Sequence, residues 1–336
     1  MLLSDFDYNL PEANIAKQPP KVRGTSRLLA LDRQTGKITD SLYKNLPDFL
    51  REGDLLIIND TRVMQSRLFC HLPDGRKREL IILEKHQKQS NDHVMYRGKL
   101  HQGDILTVDN HPEYQIEIVQ ILGNGIATAK GNAPFDEITE KAGLVPLPPY
   151  LHRDATSEDV KRYQTVWAKH MGSAAAPTAS LNMTKETLAR IKEKGALVKN
   201  ITLHVGLGTF LPIRSETVED HHMHSEWFYI PKDTVEAIKQ TKTSNHRVIA
   251  LGTTVARTLE YYGKTQKTTG EDDIFIYPGF EFKVIDALIT NFHAPKSTVL
   301  MLTAAFAGWD KLKPAYKHAV DSDYKLLSYG DSMFIY

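Results

Sequence analysis

The sequence alternates short apolar runs with helical patterns that stop at glycine, and one long stretch of a different kind interrupts this alternation. The apolar runs span residues 54–58, 197–205, 248–251 and 284–290. The helical patterns span residues 157–169, 184–194, 234–240, 255–262 and 298–307. Short buried strands that alternate with helices indicate an α/β sheet that is at least partly parallel.

The interrupting stretch, residues 62–131, consists of short strand patterns and turn residues. Candidate strands span residues 79–83, 93–96, 105–108, 114–119 and 126–129, and glycine-containing turns separate them. Strands at this spacing predict a small antiparallel sheet or barrel. We therefore predict an α/β fold in which a mixed sheet flanked by helices is interrupted by an inserted small antiparallel β-barrel domain. The predicted catalytic domain is discontinuous, comprising residues 1–63 and 151–336, and the insertion is 64–150, with proline-rich residues 144–150 as the return hinge.

Charge, cysteine content and hydropathy narrow the class of protein. The 336 residues carry 42 basic and 41 acidic side chains, which excludes a basic nucleic-acid coat but allows a local basic patch. The single cysteine, Cys70, excludes a disulfide framework and predicts a reducing compartment. Residues 299–308 form the most apolar stretch, far below the roughly 20 residues of a bilayer span. We expect a soluble cytoplasmic protein with no membrane association.

Polar residues and glycines follow each predicted strand of the α/β sheet. They are Asn59, Asp60 and Arg62 after the first run, His204 and Gly206 after the second, Gly252 and Thr253 after the third, and Asn291 and His293 after the fourth. Ligands of open α/β sheets bind at the carboxyl ends of strands. The pattern therefore predicts one shared site.

Other features permit two interpretations each. The turn at 252–254 suits an anion at a helix N-terminus or an ordinary cap. The cluster from His221 to Glu226 suits a metal, with His222, His224 and Glu226 on one strand face, or a pair of groups whose role is structural or acid–base. Asp286, predicted in mid-strand, is a structural brace or a general base. Small residues at 172–179 admit a ligand or pack tightly, and basic residues in the insertion form a nucleic-acid surface or a solvated face.

The motifs, in this order, resemble one family. They are SRLL at 26–29, NDTRV at 59–63, LPPY at 147–150, YQTV at 163–166, GSAAAPTA at 172–179, TLHVGLGTF at 202–210, MHSE at 223–226, GTT at 252–254, RTLE at 257–260, FIYPG at 275–279, DALITNFH at 286–293 and SYGD at 328–331. They cover nearly the whole chain. The family is S-adenosylmethionine:tRNA ribosyltransferase-isomerase, an enzyme of queuosine biosynthesis.

The resemblance implies a transfer in which S-adenosylmethionine donates its ribosyl unit. The acceptor is 7-aminomethyl-7-deazaguanine at the wobble position of tRNA, and the transferred unit is isomerised to give epoxyqueuosine, with release of adenine and methionine. S-adenosylmethionine is then a co-substrate, and neither a cofactor nor a metal is expected. The partners are S-adenosylmethionine and tRNA carrying the deazaguanine precursor in its anticodon, and the expected state is a monomer.

The resemblance also implies roles for individual residues. Proton transfer is expected from His204, His224, Asp286 and His293, because imidazole and tuned carboxyl groups titrate near neutrality. Substrate binding is expected from Asn59, Asp60, Arg62, Thr178, Asn182, Gly206, Glu226, Gly252, Thr253, Arg257, Tyr277, Asn291 and Asp331, with Arg257 on the methionine carboxylate and Asp331 on the ammonium or ribose. Nucleic-acid contacts are expected from Arg23, Arg27, Lys77, Arg78 and Arg97.

Several positions depart from the family pattern. Ser180, Asn182 and Met183 stand where the family usually has Gly, His and Phe, and Leu211 stands in place of an Arg. The lost His is a potential proton carrier, and Asn cannot titrate. Two alternatives stay open: a divergent paralogue with an altered substrate or a non-catalytic tRNA-binding relative, and a metal-dependent hydrolase built on His204, His222, His224, Glu226 and His293.

Overall fold

A computed structural model describes residues 1–83, 92–123, 125–206, 213, 215–221 and 223–336. Across these ranges, every helix is too short or too polar to cross a membrane. The strands are β1 Arg27–Leu31, β2 Ile38–Leu42, β3 Leu55–Asn59, β4 Thr61–Val63, β5 Arg67–His71, β6 Lys77–Ile82, β7 Asp92–Arg97, β8 Ile105–Val108, β9 His111–Gly123, β10 Ile126–Gly131, β11 His170–Ser173, β12 Leu197–Leu203, β13 Glu226–Tyr229, β14 Val248–Leu251, β15 Thr269–Asp272, β16 Ala287–Asn291 and β17 Ser332–Ile335. The helices are α1 Phe135–Ala142, α2 Ser157–Arg162, α3 Lys185–Glu193, α4 Lys232–Thr243, α5 Thr253–Thr265, α6 Thr298–Ala307 and α7 Trp309–Asp321.

A mixed sheet organises the larger part of the chain. In the described residues its strand order is β15-β13-β12-β3-β14-β16-β17-β1-β2. Strands β12, β3, β14 and β16 run parallel to one another, whereas β13 and β17 are antiparallel to their neighbours β12 and β16. The predicted mixed sheet is confirmed, and the carboxyl ends of its four parallel strands share one edge.

The central strands are apolar throughout because both of their faces are buried. Leu55 and Ile57 of β3 pack into the core formed with α4 to α7, whereas Leu56 and Ile58 pack into the core formed with α3. Such two-sided burial produces continuous apolar runs instead of alternation. Side-chain caps start two of the helices: Thr184 accepts from Thr187 N–H before α3, and Ser297 accepts from Leu300 N–H before α6.

The inserted stretch folds into a closed antiparallel barrel, as predicted. Its strand order is β10-β7-β6-β5-β8-β9, and α1 packs on it through Phe135 and Ile138. Strand β5 was not predicted from the sequence. Cys70 of this strand is fully buried, and burial raises the pKa of the thiol to about 12, as expected of a packing residue. Backbone hydrogen bonds between Arg67 and Leu144 join the entry of the barrel to its exit.

Candidate functional site

A cavity of about 560 Å³ lies at the edge where the parallel strands end. Its wall includes the small residues 175–179, the turn 252–254 and the strand end 290–293. Of the residues predicted from the sequence, it brings together Thr178, Gly252, Thr253, Asn291 and His293. Sequence reasoning missed Tyr150, Thr254 and Ser328 as wall residues. Strand-end position was the signal for Thr254, and the LPPY and SYGD motifs were the signals for the other two.

The turn before α5 places a helix N-terminus in this cavity. Gly252 has a φ of 102°, a conformation that favours glycine, and a Cβ there would lie 3.6 Å from the Cβ of Ala179. The first N–H groups of a helix have no intrahelical partner and carry partial positive charge. In the described part of the chain, Thr254 Oγ1 and Asn291 Oδ1 are buried without a hydrogen-bond partner. The cavity therefore offers both donors and acceptors to a ligand.

His293 lines the same cavity in a fixed orientation. Its Nε2 lies 2.8 Å from Thr290 Oγ1, its backbone N–H donates to Tyr316 Oη, and its carbonyl accepts from Tyr8 Oη. The ring is half-buried, and the surrounding protein lowers the pKa of His293 to about 3 by desolvation. His293 is therefore a neutral imidazole near pH 7, able to donate through one nitrogen and accept through the other.

A buried charge network lies beside the N-terminus of α5, outside the wall of the large cavity; two of its members, Glu226 and Arg257, line a small neighbouring pocket that also contacts Thr253 and Thr254. Glu226 Oε1 accepts from Gly206 N–H at 2.8 Å and lies 3.3 Å from His224 Nε2, while its Oε2 contacts the guanidinium of Arg257. Arg257 Nε lies 3.4 Å from Asp272 Oδ2. Burial raises the pKa of Glu226, but the charge of Arg257 and the hydrogen bonds outweigh this and lower it to about 2. Burial raises the pKa of Asp272 to about 6 against the opposing effect of Arg257.

This network corrects the role predicted for Arg257. We expected its guanidinium to meet the methionine carboxylate, but the structure commits it to two internal carboxylates, Glu226 and Asp272. Its side chain is 7% exposed and does not belong to the wall of the large cavity. The sequence pattern of α5 predicts a helix, but it does not show which acidic residues on β13 and β15 contact Arg257.

Four other residues predicted to bind substrate make internal hydrogen bonds instead. Asn59 bonds the backbone of Thr61 and Leu203, and Asp60 accepts from Asn200 and Thr202. The Asp331 carboxylate accepts from the backbone N–H groups of Arg27 and Lys325. Asn182 is the fourth, and its side-chain amide bonds Ser26, Gly330 and Ser332. None of these four is a wall residue of the cavity in the described structure, because each side chain is used to hold a strand end or a turn.

The side chain of Asn182 is buried, and both its amide nitrogen and its oxygen make hydrogen bonds within the protein. Its amide nitrogen donates to the carbonyl of Gly330 and to Ser332 Oγ, and its oxygen accepts from Ser26 Oγ. The residue is 3% exposed. The departure from the family's usual His therefore falls in a brace between β17 and the segment before β1, and not in the cavity wall.

Replacing this brace tests the assignment. We expect Asn182→Ala to lower the free energy of unfolding by about 1–3 kcal/mol, because Ser26 and the carbonyl of Gly330 lose their buried partner. Urea denaturation measures the change. Binding of S-adenosylmethionine to the folded variant should stay within about twofold of the parent, and a large loss of affinity at unchanged stability would contradict a structural role.

His204 lies outside the cavity wall, although its neighbour Val205 is part of it. Its Nδ1 is 2.8 Å from Thr61 Oγ1, and its ring stacks on Trp227 with centroids 5.2 Å apart. A Cβ at Gly172 would lie 2.5 Å from His204 Nε2, so this glycine makes room for the imidazole. The structure thus places His204 on the side of the strand end opposite Val205.

Asp286 is not brought to the site. The sequence placed it in mid-strand, but β16 begins one residue later, at the edge of the sheet opposite the cavity. Its carboxylate forms an ion pair with Lys242 and accepts from Val248 N–H. The predicted catalytic position is therefore a structural brace between β14, α4 and β16.

The basic residues predicted to contact nucleic acid divide into two groups. Arg23 donates to the carbonyls of Arg162 and Gln164, Arg27 lies over the ring of Tyr324, and Arg78 donates to the carbonyl of Lys99, so these three are used internally. Lys77 and Arg97 are exposed on the barrel.

The other predicted positions either lie away from the large cavity or fall outside the described residues. Arg62 is exposed on β4, and half-buried Tyr277 packs against Phe275 outside the wall of the large cavity. Strand β13 begins at Glu226, so His224 precedes the strand, and His222 and Leu211 lie outside the described residues. No group of three metal-ligating side chains occurs within the described ranges.

Comparison with known proteins places this architecture in a family. A family model described as "Queuosine biosynthesis protein" matches residues 3–335. S-adenosylmethionine:tRNA ribosyltransferase-isomerases from Pelodictyon phaeoclathratiforme and Halothermothrix orenii are 51% and 44% identical, each over the full length of both chains. The solved structure of S-adenosylmethionine tRNA ribosyltransferase from Thermotoga maritima matches with a TM-score of 0.58 and 31% identity, over 99% of this chain and 100% of that one. The chain belongs to the queuosine biosynthesis family of S-adenosylmethionine:tRNA ribosyltransferase-isomerases.

Proposed function

We propose that this chain transfers and isomerises the ribosyl unit of S-adenosylmethionine onto 7-aminomethyl-7-deazaguanine at the wobble position of tRNA, giving epoxyqueuosine, adenine and methionine. The observation that carries the proposal is the cavity with its helix N-terminus and its two unpartnered oxygens, Thr254 Oγ1 and Asn291 Oδ1. Its volume of about 560 Å³ is in the range of small-molecule sites. The type of reaction is inferred from the full-length relatives, which are named S-adenosylmethionine:tRNA ribosyltransferase-isomerases.

The two ends of S-adenosylmethionine suit different parts of the cavity. Its carboxylate suits the N-terminus of α5, where backbone N–H groups and the helix dipole favour an anion. Its ammonium or adenine amino group supplies the donor that Asn291 Oδ1 lacks. The small residues 175–179 and Val205 give an apolar wall for the adenine and ribose rings.

The chemistry requires three proton transfers. A base removes a proton from the 5′ carbon, which the sulfonium acidifies; the acceptor ammonium loses a proton before its nitrogen attacks; and departing adenine gains one. Each transfer needs a side chain within hydrogen-bond reach. We assign these steps collectively to His293 in the cavity wall and to His224, which lies outside that wall with its Nε2 facing Glu226 Oε1 in the neighbouring charge network.

Binding of S-adenosylmethionine tests the placement of the ligand. We expect Asn291→Leu to raise the Kd about 10- to 100-fold, because a ligand donor is buried without an acceptor. Isothermal titration calorimetry measures the Kd. The matched control is Asn14→Leu, which removes a buried amide bonded to the carbonyl of Tyr324, away from the cavity. Equal Kd values for the Asn291 variant and the parent would place the ligand elsewhere.

A further inference from the structure

Asp272 is a buried carboxylate to which the sequence analysis gave no role. It ends β15 and is fully buried. Its Oδ1 accepts from Ile274 N–H, and its Oδ2 faces Arg257 Nε. Strands β13 and β15 pair so that Asp272 lies directly opposite Glu226. Two like charges opposite each other on neighbouring strands are unfavourable unless a counter-charge separates them.

Arg257 of α5 is that counter-charge, and it binds the two carboxylates unequally. Its Nη2 contacts Glu226 Oε2, while its Nε lies 3.4 Å from Asp272 Oδ2. Glu226 alone would suffice to neutralise one guanidinium, so the second buried carboxylate adds a desolvation cost without being needed for charge balance. Its geometric effect is to hold Arg257 on the Oε2 side of Glu226.

Because Arg257 contacts Oε2, the other oxygen of Glu226, Oε1, can accept hydrogen bonds from two other groups. It accepts from the backbone N–H of Gly206, and it lies 3.3 Å from His224 Nε2. Glu226 is ionised, because its pKa is about 2, so it can only accept. The hydrogen must then lie on His224 Nε2, which leaves Nδ1 as the atom able to accept a proton. A carboxylate that fixes the tautomer of a catalytic imidazole is a recurrent device in enzymes.

We propose that Asp272 is a positioning residue for the reaction, acting through Arg257 and Glu226 to fix His224 in the tautomer that carries its proton on Nε2. The inference rests on the proposed function for its kinetic consequence. Its structural consequence, the tautomer of His224, is independent of which reaction the protein catalyses.

The kinetic test replaces Asp272 with its amide. In Asp272→Asn the side chain can present oxygen to Ile274 N–H or to Arg257, but not to both, so Arg257 loses its fixed position. We expect kcat for RNA modification to fall on the order of 10- to 100-fold, the scale of a small misplacement in a catalytic group. The KM for S-adenosylmethionine should stay within about twofold, since Asp272 does not line the large cavity.

The matched control is Asp54→Asn. Asp54 is also a buried aspartate paired with an arginine, Arg247, but it precedes β3 at the opposite end of the strand from the cavity. We expect the Asp54→Asn variant to have a lower free energy of unfolding than the parent and an unchanged kcat. Equal kcat losses in the two variants, or a kcat for Asp272→Asn within twofold of the parent, would overturn the inference.

A spectroscopic readout gives the tautomer of His224 in the parent protein even if the Asp272 variant does not fold. Long-range ¹H–¹⁵N correlation spectra of protein labelled with ¹⁵N-histidine report which ring nitrogen carries hydrogen. A His224→Gln variant assigns the signals of His224. We expect the Nε2–H tautomer in the parent and in Asp54→Asn, and a mixture in Asp272→Asn. A parent with hydrogen on Nδ1 alone would overturn the inference, whereas failure of the parent to modify RNA would count against the proposed function and leave this test in force.

Discussion

Arg257→Met is expected to lower the free energy of unfolding by about 3–5 kcal/mol, the cost of leaving buried charges without their partner. Arg257 is the counter-charge to Glu226 and Asp272, and both carboxylates are fully buried. Methionine fills a similar volume without charge, so the loss reports the electrostatics and not a void. Urea denaturation followed by tryptophan fluorescence measures the change.

The control for Arg257→Met removes the two carboxylates as well. A triple variant with Glu226→Gln, Arg257→Met and Asp272→Asn should recover more than half of the loss, because a buried ion network replaced as a whole is often close to neutral in stability. A loss below about 1 kcal/mol in the single variant, the value of an exposed pair, would contradict the buried network.

His293→Ala is expected to reduce kcat about 100-fold, the lower end of the contribution of a proton-transferring group. The imidazole lines the cavity, Thr290 Oγ1 lies 2.8 Å from its Nε2, and Tyr8 and Tyr316 hold the backbone of His293 by hydrogen bonds. Because its pKa is about 3, the ring stays neutral above about pH 5, and the defect should be the same at every higher pH of the assay. Steady-state rates of adenine release measure it.

His111→Ala is the matched control for His293. This half-buried histidine lies on the barrel, where its Nδ1 is 3.2 Å from Glu113 Oε1, and it is not part of the cavity wall. Its replacement should leave kcat unchanged. A His293→Ala enzyme with the parent's kcat would remove His293 from the proton-transfer steps.

The parts of the fold that depend on local patterns were predictable from the sequence. The apolar runs gave the four parallel strands because these strands are buried on both faces, and the helical patterns at 184–194 and 298–307 gave α3 and α6. Strands β1 and β17 were missed. They pair with each other across most of the chain length, and no local signal reports a partner about 300 residues away.

The site, like the fold, was predictable where it depends on local sequence position and not where it depends on tertiary contacts. Strand-end position identified Gly252, Asn291 and His293, because a parallel sheet brings its carboxyl ends together. The pairing of Arg257 with Asp272 was not predictable, since it depends on the register of β15 against β13. The role of Asn182 followed only from its contacts with Ser26 and Gly330, which tertiary packing determines.

The most direct test of the central claim is an end-point assay. The protein is incubated with S-adenosylmethionine and an anticodon stem-loop that carries 7-aminomethyl-7-deazaguanine, the RNA is weighed by mass spectrometry, and free adenine is quantified. We expect a mass gain of one epoxycyclopentane unit per RNA with one equivalent of adenine. An unchanged RNA mass, under conditions in which a family member with His in place of Asn182 completes the reaction, would contradict it.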